Sequence, residues 1–260
     1  MGVRSVRSRS RGRSRSAWVA AGAVVGAMVV AGCSEASADS DPEVRNFALQ
    51  GRELTVDSED SALDVVVGDG DQVRVTRWFD GSTVIGGEPK VTWDMVDGKR
   101  LVLRVECDGM IATCDASHRI EVPRGVAVSI DSNDGRVDAE GFKTALKIKS
   151  SDGRVVVREA SGALDLESRD GALEVVGGSS REIRAQTKDA RVKLDLGAVP
   201  DRVDVRSEDG AVEIGLPEAS YKVTAEAEDG SVEVDVPRDE SSPHVVSAVS
   251  KDGRIRVHTV

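Results

Sequence analysis

Seven aspartates recur down the second half of the chain, and six of them are followed by glycine. They are Asp134-Gly135, Asp152-Gly153, Asp170-Gly171, Asp189-Ala190, Asp209-Gly210, Asp229-Gly230 and Asp252-Gly253. Carboxylates gathered along one edge by such a repeat can supply hard oxygen ligands to Ca²⁺. Taken in pairs, they can act as acid and base on a glycosidic bond. Or each can fold its own corner, the aspartate hydrogen-bonding the backbone two residues on while glycine tolerates positive φ. The third reading explains every copy without an ion, and the nonapeptide signature of calcium-binding β-rolls is absent. No metal and no cofactor are expected. On the same logic Ala190, standing where glycine is the rule, should sit at positive φ with strain of order 1 kcal/mol, which Ala190→Gly would relieve.

No other grouping has the spacing of a catalytic site. His118, His244 and His258 lie far apart without a motif, and no serine sits in a nucleophile elbow. Gly68-Asp69-Gly70 does not lead into a helix with Lys-Ser/Thr, so it is no phosphate loop. Paired carboxylates are abundant, but an acidic chain offers them by chance. No catalytic residue is expected, and the chain reads as a non-enzyme.

The three cysteines divide by position. Val30-Ala31-Gly32-Cys33 closes an apolar, small-residue run that begins at Ala17, behind a head carrying six arginines and no acid. A basic head, a short apolar middle and a small-residue cleavage site make a secretory signal. The run falls short of the ~20 residues that cross a bilayer comfortably. Its last four residues look like the bacterial lipobox, which implies a diacylglycerol thioether on Cys33 and cleavage just before it. Two or more acyl chains hold a protein stably on a membrane. Cys107 and Cys114 then remain as a pair in an oxidising compartment, which favours a disulfide. The alternative, a metal site, would have only Asp108, Asp115 and His118 nearby as further ligands.

These residues must be positioned by something, and the organisation of the chain says what. Residues 1–32 read as the signal, 33–44 as a lipidated flexible tether, 45–123 as an N-terminal β region continuing into the stack, and 124–260 as regular repeats. The signal takes six of the 35 basic residues and none of the 46 acids, leaving the mature chain near −17. Such a body repels nucleic-acid phosphates, which excludes nucleic acid as a partner.

From residue 128 one phrase recurs: apolar, any, apolar, any, Ser/Thr, any, Asp-Gly, any, apolar, any, apolar. Its copies are spaced by 18, 18, 19, 20, 20 and 23 residues, the signature of a repeat architecture. Apolar and polar residues alternate within each phrase, as in half-buried strands. Inward pairs run from Val128/Ile130 to Val246/Ala248 before the corner and from Val137/Ala139 to Ile255/Val257 after it. Ser132, Ser150, Ser168, Thr187, Ser207 and Ser250 share the inward parity and can satisfy backbone groups at the corner. Asp-Gly suits a two-residue hairpin as well as a solenoid corner, and the parity is the same for both. Repetition favours the solenoid, because identical phrases bury their apolar faces on one another.

Residues 45–123 are looser. Strands are expected at Leu54-Thr55-Val56, Leu63-Asp64-Val65, Val73-Arg74-Val75, Leu101-Val102-Leu103 and Ile120-Glu121-Val122, with Trp78, Phe79 and Trp93 as core or end-cap packing or, alternatively, a ligand platform. The order of these strands, with Pro123-Arg124-Gly125 and then serial Ser-x-Asp-Gly-x-Val phrases, resembles a bacterial family of adhesin-named proteins of unknown function. The likeness is particularly to lipoprotein members from high-GC actinobacteria, and it spans roughly residues 45–260. It implies an all-β fold, a β-solenoid resembling a parallel β-helix, on the cell surface, with no established catalytic residues to carry over. Departures are small: Asp189-Ala190 lacks the glycine, and Ala227 replaces the usual hydroxyl residue.

The expected function is therefore a membrane-anchored binding or scaffold module, contacting a surface polymer or an envelope protein. An envelope sensory accessory is the alternative, and a polysaccharide-active enzyme a more distant one. Exposed terminal strands invite self-association. High Arg, Ala, Gly and Val content suits a high-GC, one-membrane host, with Cys33 on the outer face of the cytoplasmic membrane.

Overall fold

Alternating apolar and polar side chains leave a strand with one covered face. In the computed structural model, which describes residues 41–260, every regular element is a strand. Cys33, the signal and most of the tether lie outside the described residues. The first strand, β1 (Glu43–Phe47), claims Glu43 and Val44, which the sequence reading placed in the tether.

The N-terminal region contributes β2 (Glu53–Ser58), β3 (Ala62–Gly68), β4 (Val73–Gly86), β5 (Lys90–Val96), β6 (Arg100–Glu106) and β7 (Gly109–Pro123). Strands then come in pairs, one on each side of a corner. They are β8 (Ala127–Ser132) and β9 (Val137–Glu140), β10 (Leu146–Ser150) and β11 (Val155–Arg158), and β12 (Leu164–Ser168) and β13 (Leu173–Gly178). Next are β14 (Glu182–Thr187) and β15 (Val192–Leu196), and β16 (Arg202–Ser207) and β17 (Val212–Leu216). The last pairs are β18 (Lys222–Ala227) with β19 (Val232–Asp235), and β20 (Val245–Ser250) with β21 (Ile255–Thr259).

The two members of a pair go to different sheets. First members pair in parallel with first members, as in Val128↔Leu146↔Leu164↔Ile183↔Val203, and second members with second members, as in Val137↔Val155↔Leu173↔Val192↔Val212. A hairpin would have paired the two members antiparallel to each other. The corner is therefore a solenoid corner, and each pair is one rung. An eleven-stranded and a ten-stranded sheet face each other, and their inward valines, leucines and isoleucines form one continuous core.

Rung order departs from chain order at both ends. The ten-stranded sheet runs β18-β20-β16-β14-β12-β10-β8-β2-β6-β5, so the last rung in sequence lies between β16/β17 and β18/β19. Corner amides record the same order: Asp252 N–H donates to Glu208 O at 2.9 Å, and Asp229 N–H to Lys251 O at 2.8 Å. Near the start, β2/β3 is enclosed between β6/β7 and β8/β9. Beyond β6/β7 the parallel pattern stops, since β5 pairs β6 antiparallel and β4 lies antiparallel between β7 and β1.

The corner glycines have a different cause from the one the sequence suggested. None of Gly135, Gly153, Gly171, Gly210, Gly230 and Gly253 adopts a positive φ, nor does Ala190. A Cβ on Gly153 would overlap the Gly135 carbonyl oxygen, one on Gly171 that of Gly153, and one on Gly210 that of Ala190. At these corners glycine is demanded by the close approach of one rung's backbone to the next, whereas the equivalent position at Ala190 carries a Cβ. Ala190 carries no left-handed strain, so the stabilisation expected of Ala190→Gly loses its basis. The hydroxyl column serves only some of the corners. Ser207 Oγ and Ser250 Oγ accept the Gly210 and Gly253 N–H at 2.9 Å, Thr187 Oγ1 accepts Ala190 N–H at 3.3 Å, and Ser150 Oγ donates to Gly153 O, whereas Ser132 and Ser168 Oγ have no hydrogen-bond partner among the described residues.

Candidate functional site

The phrase puts one outward side chain per rung in each column of a sheet's solvent face. On the ten-stranded sheet one column runs Thr55-Ser129-Lys147-Asp165-Arg184-Asp204. The residues two positions earlier are Glu53, Ala127, Ala145, Ala163, Glu182 and Arg202. Three of these are only methyl groups, so the sheet is hollowed there into a groove of about 630 Å³ that crosses six strands, β2 to β16. At ~4.8 Å per strand its floor runs about 24 Å. Its charges are largely paired within it: Lys147 Nζ lies 2.9 Å from Asp165 Oδ2 and Arg202 Nη2 3.5 Å from Asp204 Oδ2. The groove offers a hydroxyl, ammonium, guanidinium or carboxylate at each rung without a strong net field. Such a surface can hold an extended chain by serial hydrogen bonds.

The aspartate column lies along one edge, with its order corrected by the rung order. Burial and the neighbouring Asp152 and Asp189 carboxyls raise the Asp170 pKa. Contact with Asp252, then burial, then Asp189 raise that of Asp209. Chain order would set Asp229 next to Asp209, but the inserted β20/β21 rung puts Asp252 there and moves Asp229 to the end. Among the described residues no three His, Cys, Asp or Glu side chains are arranged to hold a metal ion. Cys107 and Cys114 are joined by a disulfide, with Cα atoms 6.2 Å apart, tying the β6–β7 connection to β7 opposite Gly81 of β4.

A serine–histidine pair went unseen in the sequence. Ser61 Oγ lies 2.6 Å from His118 Nδ1 and donates to Ala116 O at 3.1 Å. Both residues are 1% exposed, so no substrate reaches them and the pair is structural. Burial, reinforced by Arg77, pushes the His118 pKa down to about 4, so the ring is neutral at pH 7. One signal was available: Asp60-Ser61 stands where Asp-Gly stands in later rungs, and Gly135 meets Ser61 O across the corner. The Trp93 ring centroid is 6.3 Å from that of His118, and Trp93 is 2% exposed. Its place is the end-cap core and not a ligand platform.

Two parallel sheets built from one recurring phrase, closed at one end by antiparallel strands, define a β-solenoid repeat protein. The family described as Toastrack DUF4097 matches residues 36–260, and the chain belongs to it. The chain is also similar to two solved structures. A candidate cell adhesion protein from Clostridium sporogenes has 12% identity and a TM-score of 0.41, covering 85% of this chain and 99% of its own. A candidate adhesin from Parabacteroides merdae has 11% identity and a TM-score of 0.49, covering 84% and 97%. No curated protein matches the sequence.

Proposed function

We propose that this chain is a non-catalytic, adhesin-like binding module, tethered by lipid on Cys33 to the outer face of a membrane, and that it holds an extended surface polymer in the groove across β2 to β16. The observation that carries the reading is the groove's one-polar-residue-per-rung lining, with methyl groups flooring three of its six strands. A polymer laid along the stack meets the same geometry at every step, and a rung spacing of ~4.8 Å is close to the length of one β-linked pyranose unit. The near-cancelling charges suit an uncharged polyhydroxyl chain better than a polyanion.

The test is retention of host envelope polysaccharide by the folded body, residues 37–260, which contains the whole described core. A heat-unfolded sample and an Ala145→Arg variant serve as controls. Ala145 is exposed, so arginine there fills the groove without disturbing the core. Retention by the native body and its loss, by about tenfold or more, in the variant is the expected result. Equal retention by the variant removes the groove from the reading, and no retention of any polysaccharide removes the reading itself.

A further inference from the structure

Inward positions of the regular rungs from β8 onward are buried except on the terminal rung, β18/β19. Val246, Ala248, Ile255 and Val257 are 0% exposed, whereas Val232, which pairs with Ile255, is 43% exposed, and Val234, Ala225 and Ala227 are only half-buried. The strands β18 and β19 end their sheets. The two edges are not alike. Residues 237–239 run alongside the start of β18, Tyr221 N–H donating to Pro237 O and Asp239 N–H to Tyr221 O, both at 2.9 Å, while Arg238 Nη2 donates to Val223 O at 3.3 Å. Among the described residues nothing pairs with the outer edge of β19. Ser231 O accepts from Ile255 on the β21 side, so by strand alternation the amides of Val232 and Val234 face outward.

The charge around this edge is mostly acidic. Across β18, β19 and the corner between them, Lys222 alone stands against exposed Glu226, Glu228, Asp229, Glu233 and Asp235, and the exposed Arg238 lies at the start of β18, on the other sheet's edge. Glu233 has its nearest cation, Arg256 Nε, at 3.6 Å. A second copy of β19 would bring Glu233 and Asp235 against their own kind, which disfavours pairing.

We propose that the outer edge of β19 is a docking site for an extended, basic strand of a partner protein. The strand adds to the eleven-stranded sheet through the Val232 and Val234 amides, covers the open core with alternate apolar side chains, and sets lysines or arginines beside Glu233 and Asp235. This inference does not depend on the groove.

The probe is a short labelled peptide of alternating lysine and valine, titrated into the body and followed by fluorescence anisotropy. One control peptide carries glutamate for lysine; another has N-methylated valines, which keep the charge but cannot donate to an edge. Tight binding is expected, with affinity falling by about tenfold or more for the Glu233→Lys/Asp235→Lys variant and for both controls. Both substituted side chains are exposed, so an unchanged melting temperature shows that the fold survives. Ala145→Arg, in the groove, should bind the peptide as the parent does. Absence of binding, equal binding of the N-methylated peptide, or an unchanged affinity in the charge-reversed variant overturns the proposal. A dimer of the free body that dissociates on Glu233→Lys would also overturn it, because the edge would then serve a second copy.

Discussion

The two ends of the stack handle the same hazard in opposite ways. Any sheet end presents unpaired amides and carbonyls that invite another strand. At the N-terminal end, Arg77 Nη1 donates to Val91 O at 2.9 Å and Arg45 Nη1 to Trp93 O at 3.5 Å, so side chains occupy carbonyls of the β5 edge. Both guanidinium groups also stack on Trp93, 4.5 and 4.6 Å from its ring centroid, and Phe47 meets the same ring edge-on at 6.4 Å. At the C-terminal end, β19 has no such cover among the described residues, and Val232 remains exposed. One end stacks two arginines on a buried tryptophan, although Val44 of β1 and Val96 of β5 stay exposed; the other leaves inward positions open under an acidic rim.

The largest expected difference between the ends is in packing. Trp93→Ala removes a buried indole and the platform for two arginines, and it should cost about 3–5 kcal/mol. Val232→Ala at the open end should cost well under ~1 kcal/mol, since nearly half of the side chain already meets water. Urea unfolding of both variants measures the contrast. Equal losses would mean that the open end is covered in solution.

Acid should strike the sealed end next. His118 is held neutral by burial, with a pKa of about 4 against an ordinary 6.5. Its folded-state pKa is depressed, so the unfolded chain binds more protons between these values and stability is lost as pH falls through that window. The loss amounts to about 3 kcal/mol by pH 4. His118→Gln should flatten this part of the stability–pH curve. A curve of unchanged slope would place the acid sensitivity elsewhere.

Between the ends, the corners give a smaller effect. Gly171→Ala drives a Cβ into the Gly153 carbonyl, where only backbone can move, and should cost about 1–3 kcal/mol by thermal or urea melts. The aspartate column has the opposite pH sign to His118. The pKa of Asp170 is raised in the fold, so its proton is favoured there, and stability grows as pH falls through its folded value toward the unfolded one. Asp170→Asn should therefore stabilise modestly at pH 7 and lose that advantage near pH 3.

Much of this arrangement was legible in the chain, and the exceptions share a cause. Parity placed Ile148, Leu166, Val205 and Val257 inward, and each is 0% exposed, because alternation acts on every strand whatever its neighbours. Parity is blind to which strand lies next. The insertion of β20/β21 left one trace, the 23-residue interval from Asp229 to Asp252, whose extra length carries the chain back past the terminal rung. Enclosure of β2/β3 left less, since the cap strands separate Ser61 from the rest of its neighbourhood and set His118 57 residues away. The groove was also out of reach. Ala127, Ala145 and Ala163 are unremarkable singly and become a hollow only when parallel pairing stacks them.

Ala190 carries the smallest prediction, and it tests the account of the corners most directly. If the glycines were selected for left-handed backbone, Ala190 would be strained and glycine there would stabilise. The structure gives Ala190 no positive φ, buries it to 8% exposure and satisfies its N–H on Thr187 Oγ1. Glycine at 190 would then only enlarge the freedom of the unfolded chain and remove a buried methyl, so Ala190→Gly should destabilise by about 0.5–1 kcal/mol. Parallel urea titrations of the parent and the variant resolve a change of that size. A gain in stability would return the corners to a left-handed geometry, and with it the stacking of each glycine on the carbonyl of the neighbouring rung would no longer explain the repeat.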